Sequence, residues 1–160
     1  MTPETSVSWR EAIRIYSHPR VVAMFFLGFS AGLPFLLVFS TLSAWLADLG
    51  VSRTAIGFFG WIGLTYSIKV LWAPVVDRLV LPWGSRLGQR RSWILLGQTG
   101  IAIGLAGMAV VDPAQQLTAV AILALLVAFS SATQDVAVDA YRIEAVITEY
   151  QGAMSATYVF

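Results

Sequence analysis

The chain has 160 residues, of which 58% are hydrophobic and 12% charged, with a formal net charge of +1; the charged share is about half the ~25% of an ordinary soluble domain. With a mean hydropathy of +0.75, this composition marks an integral membrane protein, and the near-neutral balance speaks against nucleic acid as a partner. Cysteine is absent and His18 is the only histidine, which excludes a disulfide framework, a thiolate nucleophile and the Cys- or paired-His metal sites, so neither metal nor cofactor is expected.

The N-terminal segment, residues 1–20, is hydrophilic. Within it Ser8–Tyr16 reads as a short amphipathic helix, with Trp9, Ile13 and Tyr16 on one side and Arg10, Glu11 and Arg14 elsewhere, as in an interfacial anchor. The first apolar run, residues 21–47, carries no charge and exceeds the roughly 20 residues a helix needs to cross a bilayer. It is too long for a secretory signal and lacks a small-residue cleavage site. Further spans follow at about 56–76, 93–111 and 117–141, and a fifth begins near 152. The fold class expected is therefore all-α and membrane-embedded, with four complete transmembrane helices and the start of a fifth in the bilayer.

Glycines and prolines describe how these helices pack. Gly97, Gly100, Gly104 and Gly107 line one face of the third span, and Gly57, Gly60 and Gly63, followed by Ser67, resemble that pattern in the second. Small-residue faces allow close backbone approach where no hydrophobic drive separates helix from lipid. Pro34 and Pro74 each remove a helical hydrogen bond and act as kinks. Gly28-Phe29-Ser30-Ala31-Gly32 matches G-x-S-x-G, but a nucleophile elbow needs a strand-to-helix turn and a histidine nearby. This one lies inside a membrane helix, and His18 lies outside it. The chain does not read as an enzyme.

Arginines set the topology. Arg10, Arg14 and Arg20 precede the first span, and Arg78, Arg86, Arg90 and Arg91 lie between the second and third; the opposite side holds Arg53 alone. By the positive-inside rule the N-terminus and the 77–93 loop are expected to be cytoplasmic in a multi-pass membrane protein.

Lys69 stands alone as a charge inside the second apolar run. A lysine at membrane depth costs about 2.5–3.5 kcal/mol and persists where it is paired or lines a wet cavity. Asp135 and Asp139 lie one helical turn apart late in the fourth span. Lys69 precedes Asp77 by eight residues, about 12 Å along a helix, and Asp135 precedes Arg142 by a similar distance. Matched depth makes Lys69 and Asp135 the expected interior pair, with Gln134 beside them in a transport and proton-coupling network. Coupling requires a carboxylate whose proton affinity differs between two access states, and Asp135 is the residue for that role. Asp139, nearer the cytoplasm, is expected to join Asp77 and Arg78.

Three stretches carry a family resemblance. Asp77-Arg78 followed by Gly88-Gln89-Arg90-Arg91 resembles the loop signature of the major facilitator superfamily, although residues 79–87 are longer than the superfamily pattern allows. The run from Ser67 to Arg78, with Lys69, Trp72 and Pro74, and the run from Ala132 to Ala140 resemble the second- and fourth-helix motifs of its peptide, acetyl-coenzyme A and drug transporter branch. Gly28 to Pro34, Ile56-Gly57-Phe58-Phe59, Arg90-Arg91-Ser92-Trp93 and Gln98 bring the chain nearest to the AmpG-like muropeptide permeases, over nearly everything from His18 onward.

That resemblance implies a twelve-helix transporter whose two six-helix halves rock about a central site. It also implies proton-coupled import of anhydromuropeptides, which are amino-sugar peptides, in peptidoglycan recycling. Asp77, Arg78, Arg90, Arg91 and Asp139 would form its cytoplasmic latch. The 160 residues then correspond to an N-terminal fragment, with residues 21–160 part of the first half and the C-terminal half as its missing partner. Within the same branch an acetyl-coenzyme A or drug carrier is the alternative. A four-span structural subunit would explain the glycines but leaves the buried Lys69 without a reason. A small dimeric multidrug exporter usually carries an acid early in the first span, where this chain has none.

The topology predicts that single cysteines at Ser52 and Ser85, introduced into the cysteine-free background, behave oppositely in intact cells. An impermeant maleimide should label position 52 and not 85; the reverse pattern would overturn the orientation.

Overall fold

In a computed structural model that describes residues 9–144, 152, 153 and 155–157, the chain is a succession of helices, and no strand occurs among the described residues. Four of them are long and apolar enough to cross a membrane: Pro19–Asp48, Arg53–Leu71, Gln89–Val110 and Leu117–Glu144. Most of the fifth expected span lies outside the described residues; residues 152–153 and 155–157 are helical.

The chain forms two compact units. One is built from its two ends, residues 1–30 and 142–160. There α1 (Trp9–Tyr16) turns Trp9, Ile13 and Tyr16 outward, the apolar face an interfacial helix needs. Pro19 opens the first span (α2, Pro19–Leu36), where its missing N–H costs nothing. The Arg20 N–H donates to His18 Nδ1 at 3.3 Å.

The other unit, Ala31–Tyr141, contains the rest of the spans. Beyond Pro34 the first span widens into a π-helical turn at Leu37–Thr41 and resumes as α3 (Leu42–Asp48). It ends in a Schellman motif: Gly50 takes φ +76°, Gly50 N–H donates to the Ala47 carbonyl and Val51 N–H to that of Leu46, both at 3.0 Å. That backbone turn requires glycine. Ser52 caps the next helix, its Oγ accepting from Ala55 N–H at 3.2 Å.

The second span is not one continuous helix. It runs as α4 (Arg53–Phe59), a 3₁₀ turn at Gly60–Gly63, α5 (Leu64–Ser67), a second 3₁₀ turn at Lys69–Leu71 and α6 (Ala73–Arg78). Pro74 supplies the physical reason for the second break, because it lacks the N–H that would bond the Val70 carbonyl and disfavours helical geometry in the preceding turn. The ladder there shifts to short-range bonds, Leu71 N–H to Ile68 O and Trp72 N–H to Lys69 O. Lys69 thus sits at the interruption.

A short helix α7 (Gly84–Leu87) leads through Gly88, at φ +86°, into the third span, α8 (Gln89–Val110). The Asp112 carboxylate accepts from Ala114 N–H at 3.0 Å and from Gln115 Nε2 at 2.8 Å, closing the turn into the fourth span, α9 (Leu117–Glu144). This fourth span is the most enclosed of the four, half of its most apolar window being buried. All four contribute to one core, with Val38, Leu42 and Leu46 from the first, Phe59 from the second, Ile101 and Met108 from the third, and Val120, Ala124 and Val127 from the fourth.

The glycine face of the third span is the seam against the fourth. A Cβ at Gly97 would lie 2.8 Å from Gln134 Cβ and 2.9 Å from the Ser130 carbonyl. At Gly100 it would collide with the Ser130 side chain, at Gly104 it would meet Val127 Cγ2 at 2.5 Å, and at Gly107 Leu123 Cδ2 at 2.7 Å. Four glycines on one helix therefore face residues 123, 127, 130 and 134 on the next, both sets at helical spacing. The second-span glycines do not repeat this: Gly57 and Gly60 face open space and only Gly63 meets a neighbour, the Phe39 ring at 3.2 Å.

Two substitutions separate backbone from side-chain contact along the seam. Gly97→Ala should lower the thermal stability of the purified protein by about 1–3 kcal/mol, since it presses on the Ser130 carbonyl and the Gln134 backbone. Gly107→Ala meets only the flexible end of Leu123 and should cost less; equal losses would mean that the close approach is not backbone-limited.

Candidate transport site

Lys69 projects from the break in the second span and its Nζ pairs with Asp135 Oδ2 on the fourth. Their side chains keep 31% and 22% of their exposure, so the described residues do not fully enclose the pair. Lys69 follows directly on the C-terminal end of α5, where the carbonyl groups left without helical partners favour a cation. Next to the pair, Trp72 Nε1 donates to Thr133 Oγ1 at 3.2 Å, and Thr133 Oγ1 donates to the Phe129 carbonyl at 2.8 Å. The Trp72 ring rests on Phe129 with centroids 4.8 Å apart. An ion pair, a hydrogen bond and a ring contact therefore tie the interrupted segment to the fourth span.

Gln134 is fully buried, with its Cα and Cβ against Gly97 rather than at the ion pair. Neither of its amide atoms has a hydrogen-bond partner among the described residues. Tyr66, three residues before Lys69, reaches the same region: its hydroxyl lies beside that of Ser131 and within the field of Asp135. The two hydroxyls do not meet at hydrogen-bond geometry, and each is buried without a partner among the described residues. Phe35 and Phe39 of the first span pack edge-on against the Tyr66 ring, at 5.5 and 6.1 Å.

A second cluster joins the end of the second span to the start of the third. Arg90 Nη1 donates to Asp77 Oδ1 at 2.7 Å. Gln89 Nε2 donates to the Asp77 carbonyl at 2.7 Å and to that of Val76 at 3.2 Å, and Trp93 Nε1 donates to the Leu79 carbonyl at 2.9 Å. Asp77 thereby lies against the N-terminal turn of α8, where its charge is favoured by the exposed N–H dipoles. Arg78 and Arg91 are exposed and form no ion pair among the described residues. Asp139 is half-buried one turn beyond Asp135.

Of the residues proposed from sequence, the structure brings together Lys69 with Asp135 and Asp77 with Arg90. Gln89, Trp72, Thr133, Tyr66 and Ser131 had not been assigned to either site. Trp72 and Thr133 lie within the motif stretches, and Ser131 precedes Asp135 by four residues, one helical turn on the same face. The described residues contain no group of side chains able to hold a metal ion.

Comparison with known proteins agrees with the motif reading. The family model described as acetyl-coenzyme A transporter 1 matches residues 20–112. The chain is 40% identical over 147 residues to a Rickettsia conorii protein named as transporter AmpG 4, covering 92% of this chain and 36% of that protein. It is 37% identical over 147 residues to the anhydromuropeptide permease of Escherichia coli K12, covering 92% of this chain and 29% of the permease. The chain thus spans about a third of the length of the curated relatives it matches. No solved structure matches it.

The Lys69–Asp135 contact predicts non-additive stability. Lys69→Met and Asp135→Asn should each lower thermal stability by about 2 kcal/mol, less than the 3–5 of a fully enclosed pair because both groups keep some solvent. The double variant should regain about 1 kcal/mol or more relative to the sum. Strictly additive losses would mean that the two side chains act independently.

Proposed function

The chain belongs to the acetyl-coenzyme A transporter family and is an AmpG-like member of the major facilitator superfamily, and from that membership we propose that it forms the first part of a proton-coupled permease. The cargo proposed is anhydromuropeptide, the amino-sugar peptide named for the Escherichia coli relative. In this reading residues 21–160 are part of an N-terminal six-helix half, and further helices complete the central site. Residues 1–20 lie on the cytoplasmic face of a bacterial inner membrane.

The observation that carries the proposal is the Lys69–Asp135 pair at the break in the second span. A carboxylate held by a cation keeps its charge; once it is protonated, the charged tie between Lys69 and the fourth span is lost and only the Trp72 contacts hold the interrupted segment there. Proton binding thereby loosens the second span from the fourth. Gln134 belongs to the same network. The contacts of Asp77 with Arg90 and the Gln89 bonds to the neighbouring carbonyls act as a latch at the inner end, with Arg78, Arg91 and Asp139 as its further members.

One observation favours a second cargo: the matching family model is described by acetyl-coenzyme A. Net uptake of labelled anhydromuropeptide separates the two. Cells lacking their own permease and expressing the full-length protein should accumulate the muropeptide, and an uncoupler should abolish accumulation. Uptake that persists with the uncoupler would remove proton coupling, and absence of uptake alongside acetyl-coenzyme A transport would favour the second cargo.

A further inference from the structure

Every buried side-chain nitrogen or oxygen without a hydrogen-bond partner among the described residues belongs to Tyr66, Ser131 or Gln134. Ser131 and Gln134 are neighbours on the fourth span, and Tyr66 reaches that stretch from the second. Ser131 lies three residues before Gln134 and four before Asp135, so it stands between them on the helix surface. The Tyr66 hydroxyl meets this face beside Ser131. Gln134 is 0% exposed and Ser131 1%, so neither is answered by bulk solvent. Unpaired buried groups are rare in folded proteins, and where they cluster an internal water usually satisfies them. An amide needs a donor and an acceptor together, as do two hydroxyls, and water supplies both.

We propose that Tyr66, Ser131 and Gln134 hold internal water against Asp135, and that the proton reaching the Asp135 carboxylate arrives through this hydrated pocket. The proton route rests on the proton-coupled reading of Asp135; the bound water does not. From the second span Lys69 and Tyr66 face Asp135, and Asp139 lies one turn further along its own helix. The third span presents Gly97 to this part of the fourth, with no side chain, and the first span presents the Phe35 and Phe39 rings to Tyr66. Those two rings give the Tyr66 side of this region an apolar lining. Tyr66 precedes Lys69 and Ser131 precedes Asp135, so both lie toward the helix ends that the arginine distribution places outside.

The transfer is balanced at each atom. A hydronium ion arriving from that side gives one proton to the Asp135 carboxylate and remains as water. The Tyr66 and Ser131 hydroxyls each give one proton, take one and end unchanged. Lys69 keeps its proton and loses its anionic partner, which leaves the interrupted segment held by Trp72 alone.

Two measurements on the full-length protein test this. Hydroxyl radicals generated in place by a brief X-ray pulse oxidise reactive side chains that touch bound water. Tyr66 should be oxidised in the unaltered protein and lose most of that labelling in Gln134→Leu and in the milder Ser131→Ala. An unlabelled Tyr66, or equal labelling in all three, would overturn the bound water. In the second measurement Tyr66→Phe and Ser131→Ala should slow proton-driven uptake of labelled anhydromuropeptide about a hundredfold, the low end of what a positioned proton-transfer group contributes. Exchange of the same compound across membranes without a pH gradient should persist. Equal loss of uptake and exchange would overturn the proton route in favour of a structural role. Labelled Tyr66 in a protein whose uptake ignores the proton gradient would overturn the route as well, and would count against the proposed function rather than against the water.

Discussion

Inside a bilayer a charge cannot turn to water, and the Lys69–Asp135 contact is the constraint around which the second and fourth spans are arranged. Lys69 occupies a 3₁₀ turn between two helical pieces, and Pro74 keeps that turn from closing into regular helix. A break in a membrane helix exposes backbone groups that lipid cannot satisfy, so it has to be covered by protein. Here the covering is specific. Trp72 donates to Thr133 and lies on Phe129, both within two turns of Asp135 on the same helix. The charge and the irregular segment that carries it are both answered by the fourth span.

The neighbouring seam is of the opposite kind. Along the glycine face of the third span there is almost no room between backbones, and several of the contacts made there are to main-chain atoms of the fourth. Such packing does not deform gradually. The second span is tied to the fourth through Lys69 and to the third through Asp77, Arg90 and Gln89. Because the third and fourth spans are locked to each other, the two ties do not pull against a moving seam. The short piece between the two ties, Trp72 to Val76, is anchored at both ends and irregular at its start.

Much of this was legible in the residues, for reasons that differ by feature. The spans showed because charges cluster between apolar runs. The glycine face of the third span showed because it repeats at helical spacing, but its partners at 123, 127, 130 and 134 did not, since Leu, Val, Ser and Gln carry no common signature. The same spacing in the second span misled: Gly57 and Gly60 face open space, and Gly60 instead begins a 3₁₀ turn. Lys69 and Asp135 were matched by counting residues from the helix ends, which works because rise per residue varies little even through a short 3₁₀ turn. Gln89 escaped notice because its role depends on reaching the Val76 and Asp77 carbonyls, which only the turn at Gly88 determines. Tyr66 and Ser131 escaped because an uncharged hydroxyl in a membrane helix carries no sequence penalty large enough to notice.

The fourth span reconciles two demands that would conflict on a single face. Ser130 and Gln134, four residues apart, lie against the glycines of the third span; Ser131 and Asp135, also four apart, lie toward the second. One residue of offset is about 100° around a helix, so two adjacent seams of polar residues run along it, one tight against the glycines and one carrying Asp135. A leucine-rich helix could supply neither: its side chains would hold the third span away, and it would leave Lys69 unanswered. Small and polar residues at consecutive positions let the same helix act as a rigid support on one side and as the partner of a mobile charge on the other. Gln134 belongs to the tight seam, where it is fully buried and its amide has no hydrogen-bond partner among the described residues.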